Sequence, residues 1–399
     1  MWIGDKWHVS PYNFREDVLE GLNFPPEIIF SDCTMRDGEQ QAGVVFTKEE
    51  KIKIARKLDE LGIQEIEAGT PAVSEEDRQA MKTIVKEGLR ANVRGVCRLL
   101  KKDIDMAVDC DLWGVLLSTP SGYLQLEYKL KWSGEELLSK AMEAIDYAKD
   151  HGLYVAVSSL DCTRSHLEFF RKWVTSIGVE SRADRIRLTD TVGSASPEAI
   201  KFIIRTMKEI SRKPVEVHCH NDFGLATANT IAALGEGTEV VSGTINGLGE
   251  RAGNTPIEEV ALALRLLYGI DTGLRYEKLY ETSKLVEKLS RIKLQANKAV
   301  VGDNAFRHES GMVVSGIIVN PYTGEAYDPE LVGQNRNIVL GKGSGRHIIN
   351  YKLKQLGVEA SDEEVFKILE RVKIEGIKKK WFLTDKEFKN IVDEVVQST

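Results

Sequence analysis

Seven histidines occur in the 399-residue chain, and two of them stand two residues apart in VEVHCHNDFG (215–224). On a strand, alternate side chains share a face, so His218 and His220 would project side by side with Cys219 turned away. Two neutral imidazoles at a strand end are half of a site for a borderline divalent ion. By themselves they are equally compatible with a strand capped by backbone hydrogen bonds. Oxygen ligands would decide the matter, and the chain offers Asp37 in DCTMRDGEQ (32–40) and Asn254 in NGLGERAGN (246–254). Taken singly, each of these reads as a turn or helix cap. Together, the four form a mixed N/O set with positions left open. Such a set suits Mn²⁺, Mg²⁺, Co²⁺ or Zn²⁺ better than a closed structural zinc.

For the four to meet, distant segments must converge. From residue 27 short apolar runs (27–33, 63–69, 91–97, 112–118, 154–160, 185–190, 215–220 and 239–245) alternate with helical patterns such as 47–62, 133–152 and 196–210. Thr47 with Glu50, and Ser196 before Pro197, are helix starts; Gly62 and Gly152 stand where helices end. Eight strand–helix units in about 250 residues predict an α/β fold, a (β/α)₈ TIM barrel. No Gly-x-Gly-x-x-Gly follows the first strand, which counts against a doubly wound dinucleotide fold. In a closed barrel strand eight neighbours strand one, so Asn254, Asp37 and the two histidines come together. The expected division is an N-terminal extension (1–28), the barrel (29–275) and a smaller, mostly helical C-terminal subdomain (276–399). Within that subdomain a long helix over 276–292, a loop-like stretch over 294–345 and helices near 361–378 and 385–397 are expected.

Composition excludes several classes. A net charge of −7 argues against nucleic acid as the main partner. No run approaches the roughly 18 apolar residues of a membrane span. The opening MWIGDKWHVSPYNF is not a signal or transit sequence. Five scattered cysteines without a Cys-x-x-Cys pair read as reduced thiols, so a cytoplasmic location is expected.

The C-terminal ends of barrel strands carry chemistry, and here they are crowded with polar groups: DCTMRDGEQ, EAGTP, CR, STPSG, SSLD, TDTVG, HCHND and NGLGERAGN, in strand order. The longer motifs DCTMRDGEQQAGVVFT (32–47), EAGTPAVS (67–74), DTVG (190–193), HCHNDFGLATANT (218–230) and NGLGERAGNT (246–255) resemble the DRE-TIM metallolyase family. Within it, the likeness is to the acyl-CoA-dependent homocitrate, isopropylmalate, citramalate and Re-face citrate synthases. The resemblance covers about residues 28–345. It implies that Asp37, His218 and His220 hold a divalent metal, with Asn254 nearby or ligated. It further implies that Arg36 stabilises the developing alkoxide and that Thr191 and Arg98 bind the 2-oxo acid. Glu39, Gln40 and Ser158 are counted with them as substrate-binding candidates. FRHESG (306–311) resembles the subdomain motif whose histidine, here His308, assists enolisation of acetyl-CoA, the implied co-substrate. A domain-swapped homodimer is implied as well.

Two positions depart from the family. Its strand-five glutamate, in a setting like FSxEDxxR, is matched by Leu160 in VSSLDCTR (157–164). Leu160 cannot carry a proton; Asp161 is the adjacent candidate, provided that a bulge or strand end turns it inward. In NPYTGE (320–325), Gly324 stands where the family has a tyrosine, which leaves Tyr322 or Tyr327 as its substitute; Gly343 in GKGSGR (341–346) stands where many relatives have histidine. Three readings follow: a synthase with a rearranged acid–base set, a metal-dependent lyase or aldolase, or a non-catalytic homologue. LQLEYKLKWSGEEL (124–137) resembles homocitrate-type chains and favours a dicarboxylic oxo acid, whereas Thr70, in place of their histidine, speaks against 2-oxoglutarate.

Overall fold

The eight apolar runs become parallel strands in the computed structural model, which describes residues 1–396. They are β1 (Ile29–Asp32), β2 (Glu65–Gly69), β3 (Asn92–Cys97), β4 (Gly114–Pro120), β5 (Tyr154–Leu160), β6 (Arg185–Asp190), β7 (Val215–Cys219) and β8 (Val240–Gly243). Each pairs in parallel with the next, and β8 returns to β1 with Val241 opposite Phe30, so the barrel is closed as expected. Strong local signals set the helices between them. Thr47 and Glu50 form a reciprocal capping box at the start of α1 (Lys48–Leu61). Ser133 caps α2 (Gly134–Asp150), and Ser196 followed by Pro197 starts α3 (Pro197–Ile210).

The interior of this barrel is not the usual stack of branched apolar residues. Glu65, Glu67, Arg94, Arg185, Arg187 and Glu216 point inward and are all buried. Arg94 reaches Glu67 at 2.9 Å and Glu216 at 2.5 Å, Arg185 reaches Glu65 at 2.6 Å, and Arg187 reaches Glu67 at 2.7 Å. Against the upward push of burial, the guanidiniums of Arg94, Arg187 and Arg185 hold the Glu216 carboxyl at about 2. This ionic lattice forms the floor beneath the mouth.

The described residues divide into two compact units, residues 12–294 and residues 1–11 with 295–396, rather than at 28/29 and 275/276. The expected long helix is a single turn over Tyr276–Lys278 followed by α4 (Leu279–Ser290). This helix belongs to the barrel unit because Leu279 and Val286 are buried and its Ser283 carbonyl accepts from Asn246 Nδ2 at 2.9 Å. The first eleven residues go with the other unit: His8 N–H donates to Ala326 O, and Asp328 N–H to Lys6 O, both at 2.8 Å. The stretch expected to be loop-like holds α5 (Gly311–Val319), apolar on every side and therefore without a helical period to read. It is followed by α6 (Arg346–Leu356), α7 (Asp362–Lys379) and α8 (Asp385–Val396), which enclose an apolar cluster that includes Ile348, Leu353, Ile368, Val372 and Phe388. Among the described residues, no helix is long and apolar enough to cross a membrane. All five cysteines are free and buried.

Candidate metal centre and active site

At the C-terminal end of the barrel, β7 delivers His218, and the first residue beyond the strand is His220, whose N–H donates to Asp190 O at 3.2 Å. Gly193, at φ +55, makes room for this chain path, since a Cβ there would lie 2.7 Å from both Asp222 N and His220 O. The two Nε2 atoms are 3.3 Å apart. Asp37 Oδ2 lies 3.7 Å from one and 3.8 Å from the other, and Asp37 is only 2% exposed. Among the described residues this is the one cluster of three or more His, Cys, Asp or Glu side chains that brings ligand atoms together.

Burial, reinforced by the charge of Arg187, pushes the His218 imidazole well below its ordinary range; burial also lowers His220, against the pull of Asp37. Both rings are neutral near pH 7, the form that ligates metals. His218 Nδ1 faces Ser242 Oγ at 3.0 Å, which frees Nε2 as the ligand atom. Asn254 Nδ2 is hydrogen-bonded to Asp37 Oδ2 and, at 2.9 Å, to Leu248 O; its Oδ1 is buried without a hydrogen-bond partner. Two neutral imidazoles, a carboxylate and an unclaimed amide oxygen fit a divalent ion with open positions.

Arg36 stands beside this cluster with its guanidinium clamped between two carboxylates. Nε donates to Glu67 Oε2 at 2.7 Å and Nη1 to Asp37 Oδ1 at 2.5 Å. Burial acts to lower the Arg36 pKa, but Glu67 and Asp37 outweigh it and the group stays fully charged. Glu67 in turn is held well below the usual carboxylate range, against burial, by Arg36, Arg187 and Arg94. The lattice therefore fixes Arg36 in one orientation before any substrate arrives.

A cavity of about 490 Å³ opens above these groups. Arg36, Asp37, Gln40, Ser158, Thr191, His218 and His220 line it, so the structure brings these expected residues together. Leu160 lines it too, and it supplies an apolar patch where the family has its acid. Asp161 does not take over that role. β5 ends at Leu160, and Asp161 turns into the left-handed region at φ +61, is fully buried, and binds Arg164 through both oxygens at 2.8 and 2.9 Å. Arg98 is also elsewhere: its side chain is 67% exposed and grips Asp103 at 2.7 and 2.9 Å. Glu39 lies in a neighbouring hollow, accepting from Phe46 N at 2.8 Å and pairing with Lys51 at 2.6 Å. The expected His308 and Tyr322 belong to the C-terminal unit. His308 Nε2 meets Glu325 Oε1 at 2.9 Å, with Glu325 gripped by Arg336, and Tyr322 Oη donates to Asp5 O at 3.3 Å.

The cavity residues that the sequence did not single out include Arg187, Gln125, Lys129, Thr189, Glu250 and Arg251. Arg187 was visible as a charged residue alternating within RIRLTD, the mark of an inward charge. Arg251 lay inside a quoted motif; it bridges Asp222 at 2.8 Å and Thr191 O at 2.7 Å, locking two strand ends together.

Residues 27–286 match the family model described as HMGL-like, and residues 300–380 match the one described as homocitrate synthase post-HMGL domain-like. A relative called homocitrate synthase AksA, from Methanopyrus kandleri, is 47% identical over 98% of this chain and 97% of its own length. A 2-isopropylmalate synthase of Methanocaldococcus jannaschii is 45% identical over 95% of this chain and 74% of its own. Among solved structures, an HMG-CoA lyase of Bacillus subtilis superposes with a TM-score of 0.62 at 20% identity, covering 68% of this chain and 97% of its own. That likeness speaks for the fold.

Proposed function

The chain belongs to the HMGL-like family, and on that premise we propose that it is an acyltransferase that condenses acetyl-CoA with a 2-oxo acid in a Claisen-type reaction, releasing CoA. Relatives matched over nearly their whole length are called homocitrate synthases. The lyase or aldolase reading has only a fold-level likeness behind it. The observation that carries the proposal is the convergence of Asp37, His218 and His220 beside a clamped Arg36 in one cavity.

A divalent metal, which Asp37, His218 and His220 would hold, would supply Lewis-acid polarisation of the keto group of a 2-oxo acid. The chain supplies the rest. Arg36, already oriented by Glu67, offers a fixed cation to the keto oxygen as it gains charge. Ser158 and Thr189, whose hydroxyls meet at 2.8 Å, and Thr191 present hydroxyl groups toward the acid. Arg187 and Arg251 are already paired with Glu67 and Asp222, so Lys129 is the cavity cation that supports a second carboxylate on the oxo acid. His308, oriented by Glu325 and Arg336, is the candidate base for the acetyl methyl proton. Its delivery to a barrel mouth, and the homodimer that would achieve it, rest on the resemblance of FRHESG. A strictly monomeric, active species in light scattering would contradict the dimer.

The test is free-thiol release from acetyl-CoA with Mn²⁺, Mg²⁺, Co²⁺ or Zn²⁺, against 2-oxoglutarate, oxaloacetate, 2-oxoisovalerate and pyruvate. Release with a dicarboxylic acid is expected. Metal-bound protein that releases no thiol with any acid would overturn the synthase reading.

A further inference from the structure

The C-terminal unit has a cavity of its own, of about 570 Å³, and the groups on its wall take no part in the chemistry above. Its size lies within the roughly 300–1,000 Å³ of small-molecule sites. The wall is built from two segments pressed together. Gly376, within α7, lets the glycine-rich loop GKGSG (341–345) lie on the helix, because a Cβ there would stand 2.9 Å from Lys342 N and 3.1 Å from Gly341 Cα. That close approach seats Lys342 on one side. Opposite, Lys380 caps the C-terminus of α7 at φ +53, a left-handed position usually given to glycine.

The chemistry of the wall is one-sided. Lys342, Lys380 and Arg307 face one carboxylate, Glu309, which already accepts from Gly343 N at 2.8 Å. Lys378 and Lys379 nearby are paired with Glu375 and Glu387, but neither Lys342 nor Lys380 has an ion-pair partner among the described residues. A lysine that ends a helix offsets the helix dipole; Lys342, on a loop, gains nothing in that way. Beside the cations lie two aromatic rings, Trp381 and Phe382. The Trp381 ring is 5.0 Å from Phe382, the Arg307 guanidinium sits 4.9 Å over Phe382, and Trp381 is 56% exposed. An exposed indole among unpaired cations matches a ligand that joins clustered negative charge to a planar ring.

We propose that this cavity binds a phosphorylated adenine-nucleotide group, with its phosphates on Lys342 and Lys380 and its base on Trp381. Two sources carry this chemistry: the adenosine 3′,5′-bisphosphate end of coenzyme A, and a free adenine nucleotide acting as an effector. The coenzyme A source rests on the condensation reading and the effector source does not; binding is measured without turnover, so the two fail separately.

The experiment is calorimetric titration of the full chain with adenosine 3′,5′-bisphosphate, coenzyme A, ADP, ATP and inorganic phosphate. Tryptophan fluorescence is followed in parallel, with Trp381→Phe as the control that assigns the signal. Saturable nucleotide binding is expected, at least tenfold weaker in Lys342→Ala and in Lys380→Ala, and weakened by salt. Trp381→Ala should weaken the nucleotides and leave inorganic phosphate unchanged. Tighter binding of the bisphosphate and coenzyme A than of ADP and ATP identifies the co-substrate as the source; the reverse order identifies an effector. No saturable binding, binding unchanged in both lysine variants, or phosphate binding as tightly as the nucleotides would each overturn the proposal.

Discussion

The barrel interior and the C-terminal unit are filled on opposite principles. Inside the barrel, Arg94, Arg185 and Arg187 interlock with Glu65, Glu67 and Glu216 away from water. In the C-terminal unit, Ile348, Ile368, Val372 and Phe388 form an ordinary apolar cluster. Buried ion pairs contribute little net stability, because desolvation offsets their attraction, and losing one partner strands a charge. An apolar cluster contributes stability in proportion to what it buries, and it directs no field. The difference teaches where stability and chemistry are separated: the lattice orients Arg36 at the cavity wall, and the apolar cluster holds a unit together.

The comparison can be broken at its chemical end. His218→Ala removes a proposed metal ligand and leaves the six charged side chains of the lattice in place. Thiol release should fall by at least about 10³-fold, on the order of 4 kcal/mol of barrier, while the melting temperature changes little. Glu67→Gln strikes the lattice itself and leaves Arg36, Arg94 and Arg187 short of a counter-charge. It should cost about 3–5 kcal/mol of stability and lower activity as well, read by urea unfolding and by initial rates. In the apolar cluster, Ile368→Ala should cost about 2–5 kcal/mol yet leave the metal affinity of the barrel unaltered in an equilibrium titration. Equal damage to metal binding from Ile368→Ala and Glu67→Gln would erase the distinction.

A smaller effect tests the lattice by pH. Burial, with Glu67's charge adding to it, pushes the Asp32 carboxyl up to about 7, against hydrogen bonds from Thr34. A carboxyl whose native pKa exceeds its unfolded value near 3.9 retains its proton longer in the folded state. This contribution to stability is therefore largest below about pH 4 and is lost as pH rises through about 7. Asp32→Asn should flatten that slope by at least ~1 kcal/mol, the scale of one pKa unit, when unfolding free energies at pH 5 and pH 8 are compared.

Much of this was legible before the structure. Strand–helix alternation fixed the barrel, and residues at strand ends converged because closure leaves them no other place. The resemblance carried residues across without showing where strands stop. Arg98 shares the parity of Arg94 and Val96, but β3 ends at Cys97 and Asp103 captures the guanidinium. Asp161 does follow a strand end, as its candidacy required, but the left-handed turn there sends it to Arg164 rather than into the cavity. Lys129 and Gln125 sit on a wide helical turn after β4, whose reach over the mouth depends on three-dimensional packing rather than on any period. The apolar helix α5 carried no period to read.

The most direct measurement is thiol release and bound metal determined on the same samples, as metal is restored to chelator-stripped protein in the presence of acetyl-CoA and a dicarboxylic 2-oxo acid. Release should rise in proportion to occupancy and saturate at one ion per barrel, with His218→Ala and His220→Ala binding weakly and releasing no thiol. Full release from metal-free protein, or from either histidine variant, would contradict the assignment of Asp37, His218 and His220 as the centre of the reaction.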